Sequence, residues 1–337
     1  MNLLEPWILL RLLAGLTAAI LFARAALTAV RVLRHFDVRE ATEGQLALEK
    51  QSELGTTFVR VAVVLQVGAL ILGVLAADRL SHSIRGAMCA YGVFHENALG
   101  FPALTLTAFV AFAAAVTAQL TSFDRGVRGL ELVRTIAVLS LAMAPLAVAD
   151  LALTTAFFLK LDLGVVASCC SVQLDAAVSG TGFASGPRGL ATALAVVSVL
   201  LAASVGWAAS VRPRAARAML AAVLSLIAVP LAIGAIVLEV APHAFELPQH
   251  SCPFCLLRAD VLGIGYPLFG AVFLAAVWSV GAAAAALATR GGTSEAFAAF
   301  ARTRLRRGAL AWALALALGV GPVLRYAIVS GGRSLFP

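Results

Sequence analysis

The chain has 337 residues, of which 61% are hydrophobic and only 12% are charged. Soluble domains carry about 25% charged residues, so this composition excludes an ordinary soluble protein and indicates a polytopic membrane protein. The formal net charge of +8 does not indicate a nucleic-acid partner, because the arginines stand at the ends of apolar segments, where they orient membrane helices.

Eight apolar segments follow one another along the chain. A helix crosses the bilayer with about 20 apolar residues, and backbone groups inside the bilayer must be satisfied within a helix. We therefore predict an all-α, polytopic helical bundle that forms a single transmembrane domain over residues 1–337. The first segment lacks the basic start and the cleavage site of a secretory signal, so we expect it to be retained. The predicted spans are 7–30, 57–77, 101–121, 133–159, 189–211, 218–241, 262–289 and 308–328.

Basic residues are unevenly divided between the two sets of connecting segments. Those in or beside the connections after odd-numbered spans are Arg31, Arg34, Arg39, Lys50, Arg125, Arg128, Arg134, Arg212, Arg214, Arg217, Arg290, Arg302, Arg304, Arg306 and Arg307. Those after even-numbered spans are Arg79, Arg85, Lys160, Arg188 and Arg258. Positive charge stays on the cytoplasmic side, so this asymmetry predicts a multi-pass protein of a bacterial inner membrane, surrounded by lipid, with both termini outside.

Two further patterns concern the segments around the spans. Segments 31–56 and 293–307 are amphipathic, which favours separate helices on the membrane surface. Gly100-Phe101-Pro102 at the start of the third span resembles Gly265-Tyr266-Pro267 at the start of the seventh. One interpretation is a 4+4 internal repeat; the other is an ordinary helix start with proline in the first turn.

Cys252-Pro253-Phe254-Cys255, just before the seventh span, is the strongest chemical signal. Two thiols at this spacing can form a disulfide, share a metal or exchange electrons. A helix start favours the thiolate, which is the form that exchanges with disulfides. The alternatives are a fixed structural disulfide and one half of a closed zinc site.

The remaining cysteines are Cys89 and the adjacent pair Cys169-Cys170. All five cysteines fall in predicted outer connections, where the oxidising space favours pairing. Adjacent cysteines close only a strained, easily reduced ring, so the pair either exchanges, bonds to other partners or offers sulfur to a soft ion. An odd count leaves one thiol over after two pairs, which points to an exchange intermediate, a metal site or an external partner.

Histidines and an acidic residue complete the set of candidates. His95 and His250 lie near cysteines, so they either assist proton transfer, complete a metal shell or are solvated surface groups. Asp150 lies near the middle of the fourth span, where a charge requires a partner. Arg11 or Arg24 in the first span can form a structural ion pair with it; the competing interpretation is a proton path or ion site. No nucleotide-binding or zinc-protease motif is present.

These residues resemble the membrane thiol oxidoreductases of the vitamin K epoxide reductase and disulfide-bond-formation quinone reductase type. Cys252 and Cys255 match the pair that such proteins carry at a membrane helix end, whereas Cys169 and Cys170 match the loop pair except for their adjacency. The resemblance covers about half of the chain and implies a quinone cofactor and a periplasmic thiol partner. The adjacent pair Cys169-Cys170 also resembles that of small membrane mercury transporters.

The leading hypothesis is an integral membrane thiol-disulfide oxidoreductase whose catalytic residues are Cys89, Cys169, Cys170, Cys252 and Cys255, with a quinone as electron acceptor or donor. A first alternative is a protein that binds or transports a soft metal ion (Cu, Hg or Zn) through these cysteines with His95 and His250. A second alternative is a structural subunit of a larger membrane complex, with other membrane subunits as partners.

Overall fold

A computed structural model describes residues 5–36, 42–127, 132–164, 188–289 and 294–336. Within these ranges the secondary structure is helical, and eight helices are long and apolar enough to cross a membrane. Each overlaps one predicted span. The predicted all-α, multi-pass membrane fold is therefore confirmed.

The chain divides into two compact units, and the first comprises Met1–Arg85 and Gly92–Ala167. In this unit α1 packs against α2 and α5, and α4 packs against the same two helices, so four long helices form a closed ring. Alanines fill much of its interior, which lets helices approach closely. The helices of this part of the chain are α1 (Pro6–His35), α2 (Glu43–Ser81), the short α3 (Ala90–His95), α4 (Gly100–Val127) and α5 (Val133–Lys160).

The second unit comprises Gly86–Tyr91 and Ser168–Pro337. Its long helices form a ring with the same order of contacts, α6 to α7, α7 to α9, α9 to α10 and α10 to α6. This shared connectivity suits sequential antiparallel helices; duplication of a four-helix unit stays a prediction. The helices are α6 (Arg188–Val211), α7 (Ala215–Ala235), a π turn (Ile236–Val240), α8 (Ala241–Phe245), two 3-10 turns (Pro253–Leu257 and Ala259–Val261), α9 (Gly265–Ala288) and α10 (Glu295–Val329).

A short chain of side-chain hydrogen bonds crosses the interior of the second unit. The indole N–H of the buried Trp312 donates to Ser225 Oγ at 3.0 Å, and Ser225 Oγ lies 2.9 Å from Ser279 Oγ. These residues join α10, α7 and α9. Polar bonds of this kind link helices where apolar lipid gives little driving force for association.

The two segments expected to be separate surface helices differ from the prediction. The described residues of 31–56 belong to the end of α1, which runs to His35, and to the start of α2 at Glu43. Those of 293–307 belong to the start of α10 at Glu295, and both α2 and α10 continue without interruption through the following span. The side chains of Thr42 and Ser294 cap the two starts by accepting hydrogen bonds from backbone N–H groups. Continuation keeps every backbone bond intrahelical, so an amphipathic pattern extends the helix instead of forming a second one.

Candidate functional site

Three cysteines from distant parts of the sequence meet in the second unit. The Sγ atoms of Cys89 and Cys252, which are 163 positions apart, lie 3.6 Å from each other. The Sγ atom of Cys255 joins them, and all three lie within 4.8 Å of one another. We call this group the cysteine centre. Every side chain in it is buried, with at most 2% of the surface exposed.

The spacing of Cys252 and Cys255 explains why both thiols face the same way. Pro253 begins a 3-10 turn that runs to Leu257, and Cys252 occupies its N-cap position. A 3-10 helix has three residues per turn, so side chains at positions i and i+3 lie one above the other. Cys252 at the N-cap and Cys255 inside the turn have their sulfur atoms within 4.8 Å of each other. The helix start expected beside the pair is this short 3-10 turn, whereas α9 begins only at Gly265.

Cys89 is held in place by contacts between its own segment and the 3-10 turn. Arg258, at the end of the turn, donates from Nη1 to the backbone carbonyl of Met88 at 2.9 Å. The Tyr91 and Phe254 rings pack with their centroids 6.2 Å apart. These contacts flank Cys89 on both sides in sequence, which explains why the segment Gly86–Tyr91 belongs to the second unit.

The distances between the sulfur atoms allow two kinds of chemistry. A disulfide bond measures about 2.05 Å, so Cys89 and Cys252 at 3.6 Å are in van der Waals contact without being bonded to each other. Contact between thiols permits exchange of disulfide partners. The same distance is also close to the sulfur–sulfur edge of about 3.8 Å in a tetrahedral site with Zn–S bonds of about 2.3 Å. No histidine or carboxylate of the described residues belongs to this group of mutually close ligand atoms.

The other predicted sulfur and nitrogen ligands have different placements. Cys169 and Cys170 lie outside the described residues. The His250 ring stacks on Phe245 with a centroid distance of 4.2 Å, and Phe245 itself packs against the cysteine centre. His95 belongs to the first unit, where its ring lies edge-on to Phe101 at 6.3 Å.

A second polar site lies inside the first unit, around Asp150. Arg11 Nη2 lies 3.1 Å from Asp150 Oδ2, and both side chains are only 1% exposed. Gln66 donates to the same carboxylate at 2.8 Å, and the hydroxyl of Thr107 donates to Oδ1. One carboxylate therefore joins α1, α2, α4 and α5. Arg24, the other arginine considered as a partner for Asp150, is exposed on α1.

Arg11 was predicted from the sequence as a partner of Asp150, but the threonines around the pair were not. Arg11 Nη2 also donates to Thr107 at 3.0 Å and to Thr154 at 3.2 Å, so two hydroxyls support the ion pair. Neither threonine stands out in so apolar a sequence. Arg11 fits against α1 because Gly15 leaves room: a Cβ there would lie 2.6 Å from Arg11 Nη1. This arrangement supports the structural interpretation of Asp150 as one half of a buried ion pair.

The sequence also missed the two residues that hold Cys89. Tyr91 and Arg258 were not among the candidates, although Arg258 directly follows the 3-10 turn of the C-x-x-C pair. Comparisons with known proteins add no assignment, because no protein-family model, curated protein or solved structure matches the chain.

Proposed function

We propose that the chain is an integral membrane thiol-disulfide oxidoreductase whose reacting group is the cysteine centre. The observation that carries the proposal is the contact between Cys89 and Cys252, with Cys255 beside them. Three mutually close thiols are the minimum that lets one disulfide move within a protein: two form the bond and the third attacks it.

The exchange would run as follows. The Cys89 thiolate attacks Sγ of Cys252 in a Cys252–Cys255 disulfide. The Cys89–Cys252 bond forms, the Cys252–Cys255 bond breaks, and Cys255 leaves as a thiolate that takes up a proton. A thiolate of a partner dithiol then attacks Cys89 and releases Cys252, and the second partner thiolate releases Cys89. The net result is a partner disulfide and the reduced Cys252/Cys255 dithiol.

Reoxidation of that dithiol yields two electrons and two protons, which need an acceptor. A lipid-soluble quinone takes both, and we propose one as the acceptor. The partner is then a thiol protein of the periplasm, since the predicted orientation of the chain places the loops with Cys89 and Cys252 outside. Because the centre is buried, we expect the partner to reach it only when the loop around Met88, which is 59% exposed, is displaced.

The test is a trapping experiment on the full chain in native membranes. In Cys255→Ser the thiolate that would attack the Cys89–Cys252 bond and restore the Cys252–Cys255 disulfide is missing. Once an added thiol oxidant has joined Cys89 to Cys252, the two are therefore expected to remain joined. Alkylation followed by mass spectrometry of unreduced peptides should find the Cys89–Cys252 linkage in most molecules. Separate alkylation of Cys89 and Cys252 in the same variant would overturn the proposal.

Two variants control this experiment. Ser251→Ala changes a buried neighbour that has no thiol, and it is expected to keep the wild-type pattern of alkylation. The double variant Cys89→Ser/Cys255→Ser should lose the linked peptide, because the attacking thiol is absent. A linked peptide that persisted in the double variant would show that Cys252 pairs with another residue.

The sulfur–sulfur distance favours soft-metal binding as a second candidate function. Three thiolates suit Cu(I) or Zn(II), which prefer sulfur ligands, and an edge of 3.6 Å is near that of a tetrahedral site. This candidate predicts one metal ion per purified chain by elemental analysis, and its loss in Cys89→Ser as well as in Cys252→Ser. Metal-free protein that still exchanges disulfides would exclude it.

A further inference from the structure

A partly open cavity of about 240 Å³ lies in the second unit, between α6, the end of α7, the π turn, α9 and α10. Its walls are mostly alanine, valine, leucine and isoleucine, and small residues such as Ala235, Ala315 and Gly319 leave the space open. All of the lining residues are buried or half-buried. An engineered apolar cavity of about 150 Å³ already binds benzene, so this volume accommodates a larger apolar molecule.

The cavity has a polar end formed by two lining residues. Glu239 and Thr192 are the polar members of the lining, and the Thr192 hydroxyl donates to Glu239 Oε1 at 3.1 Å. Arg188 Nε lies 3.7 Å from the same oxygen, and His243 Nδ1 lies 3.5 Å from Oε2. Arg188 and His243 do not line the cavity. The carboxylate therefore lines the apolar space, and the Arg188 guanidinium lies beside it outside the lining.

A local irregularity of the backbone accompanies Glu239. Residues Ile236–Val240 form a π turn in which the N–H of Ala241 donates to the carbonyl of Ile236, five residues earlier. A π turn inserts one extra residue into the helix and changes the direction of the side chains around it, and such turns are frequent at functional sites. Here the turn holds three of the lining residues: Ile236, Glu239 and Val240.

We propose that this cavity binds a neutral, lipid-soluble molecule with an apolar body and a hydroxyl end. The oxygens of Glu239 accept hydrogen bonds, as Oε1 already does from Thr192, so this end of the cavity selects a ligand that donates one. A lipid that ends in a carboxylate would place that group against the Glu239 carboxylate, so the two would repel each other. A pure hydrocarbon would offer no hydrogen bond to Glu239. The hydroxyl of the ligand donates to Glu239 while its chain lies along Ala315 and Gly319. This site is separate from the thiol chemistry of the cysteine centre.

The test uses photoaffinity labelling of the full chain in lipid nanodiscs. The probe is 1-decanol with a diazirine in its chain, and the labelled peptides are located by mass spectrometry. We expect labelling of lining residues in the π turn and α10, competed by 1-decanol but not by equal amounts of decane or decanoate. Competition by a decyl-tailed quinol that is stronger than that by 1-decanol would identify a ring-bearing alcohol; equal competition would identify a simple chain.

Matched variants separate the cavity from the lipid-facing surface. Ala315→Leu fills the cavity and is expected to lower labelling at least tenfold, whereas Ala317→Leu, which changes an exposed residue two positions further on, is expected to leave it unchanged. Glu239→Gln keeps the side-chain size but removes the charged acceptor, so we expect affinity for 1-decanol to fall about tenfold.

Two results would overturn the proposal. One is labelling in Ala315→Leu equal to that of the wild type, and the other is competition by decane as effective as that by 1-decanol. Cys255→Ser is expected to label like the wild type. Loss of alcohol binding in the cavity variants would therefore be distinguishable from a failure of the disulfide trapping at the cysteine centre.

Discussion

Among the ion pairs of the described residues, Arg11 and Asp150 form the most deeply buried one, with both side chains 1% exposed. A buried charge costs several kcal/mol in free energy unless it is paired and hydrogen-bonded. Asp150 receives hydrogen bonds from Arg11, Gln66 and Thr107. The two charges thus cancel inside the first unit, and the carboxylate is fully engaged in joining helices.

This pairing predicts an asymmetry between single and double substitutions. Asp150→Leu leaves the Arg11 guanidinium buried without its counter-charge, so we expect the free energy of unfolding to fall by about 3–5 kcal/mol. The double variant Arg11→Leu/Asp150→Leu should recover most of that loss, because no uncompensated charge remains. Thermal or denaturant unfolding in detergent measures both.

Arg24→Leu is the matched control for this experiment, because Arg24 lies on the same helix but is exposed. We expect it to change the free energy of unfolding by less than about 0.5 kcal/mol. If the double variant were as unstable as Asp150→Leu, the ion pair would not be the cause of the loss.

At the scale of helices and turns, the start of α9 fixes the position of the C-x-x-C pair. Gly265 begins α9 in close contact with the end of the 3-10 turn: a Cβ on Gly265 would lie 2.9 Å from the backbone carbon of Leu256. Gly100, at the start of α4, is in closer contact still, because a Cβ there would collide with the carbonyl oxygen of Phe94. Both Gly-aromatic-Pro sequences thus place glycine where a short preceding helix meets the backbone.

Gly265→Ala is therefore expected to shift the 3-10 turn and separate Cys252 from Cys89. Backbone atoms cannot yield as a flexible side chain does, so we expect the yield of the Cys89–Cys252 linkage in a Cys255→Ser background to fall several-fold. The measurement is the peptide mass spectrometry used for the trapping experiment.

The control is Gly270→Ala, five positions further along α9, where a new Cβ would meet open space in the part of the chain that the structure describes. Replacing a helical glycine by alanine favours the helix by up to about 1 kcal/mol, so this variant should trap as well as Cys255→Ser itself. Equal trapping in both alanine variants would mean that the close contact of Gly265 does not position the thiols.

At the scale of the whole molecule, the distribution of basic residues predicts the orientation in the membrane. With both termini outside, a protease added to intact spheroplasts should remove a tag fused after Pro337. A cleavage site inserted at the exposed Gly44, in the connection predicted to be cytoplasmic, should remain protected until the cells are opened. Protection of the C-terminal tag together with cleavage at Gly44 would invert the topology and place the cysteine centre inside.

Helix existence was predictable from the sequence because span length depends on local composition and bilayer thickness. Helix ends were less predictable, because α2 and α10 extend beyond the apolar segments. In such an extension the backbone groups stay hydrogen-bonded within the helix, and its polar side chains can remain in water. Cys252 and Cys255 were recognisable as a pair for a similar reason, since they are only three positions apart in the sequence.

What the sequence determined by itself is local: eight apolar helices, a C-x-x-C pair shortly before the seventh of them, and the need of Asp150 for a partner. The tertiary structure decided which residues meet. Cys89 joins the pair from 163 positions away. Arg11 faces Asp150 whereas Arg24 does not, and the sequence could not choose between them because it does not tell which face of α1 packs inward. Glu239 could be read as an ordinary helix-end residue, and the cavity beside it is formed by residues of separate helices. Contacts between distant segments depend on packing, which no local pattern encodes.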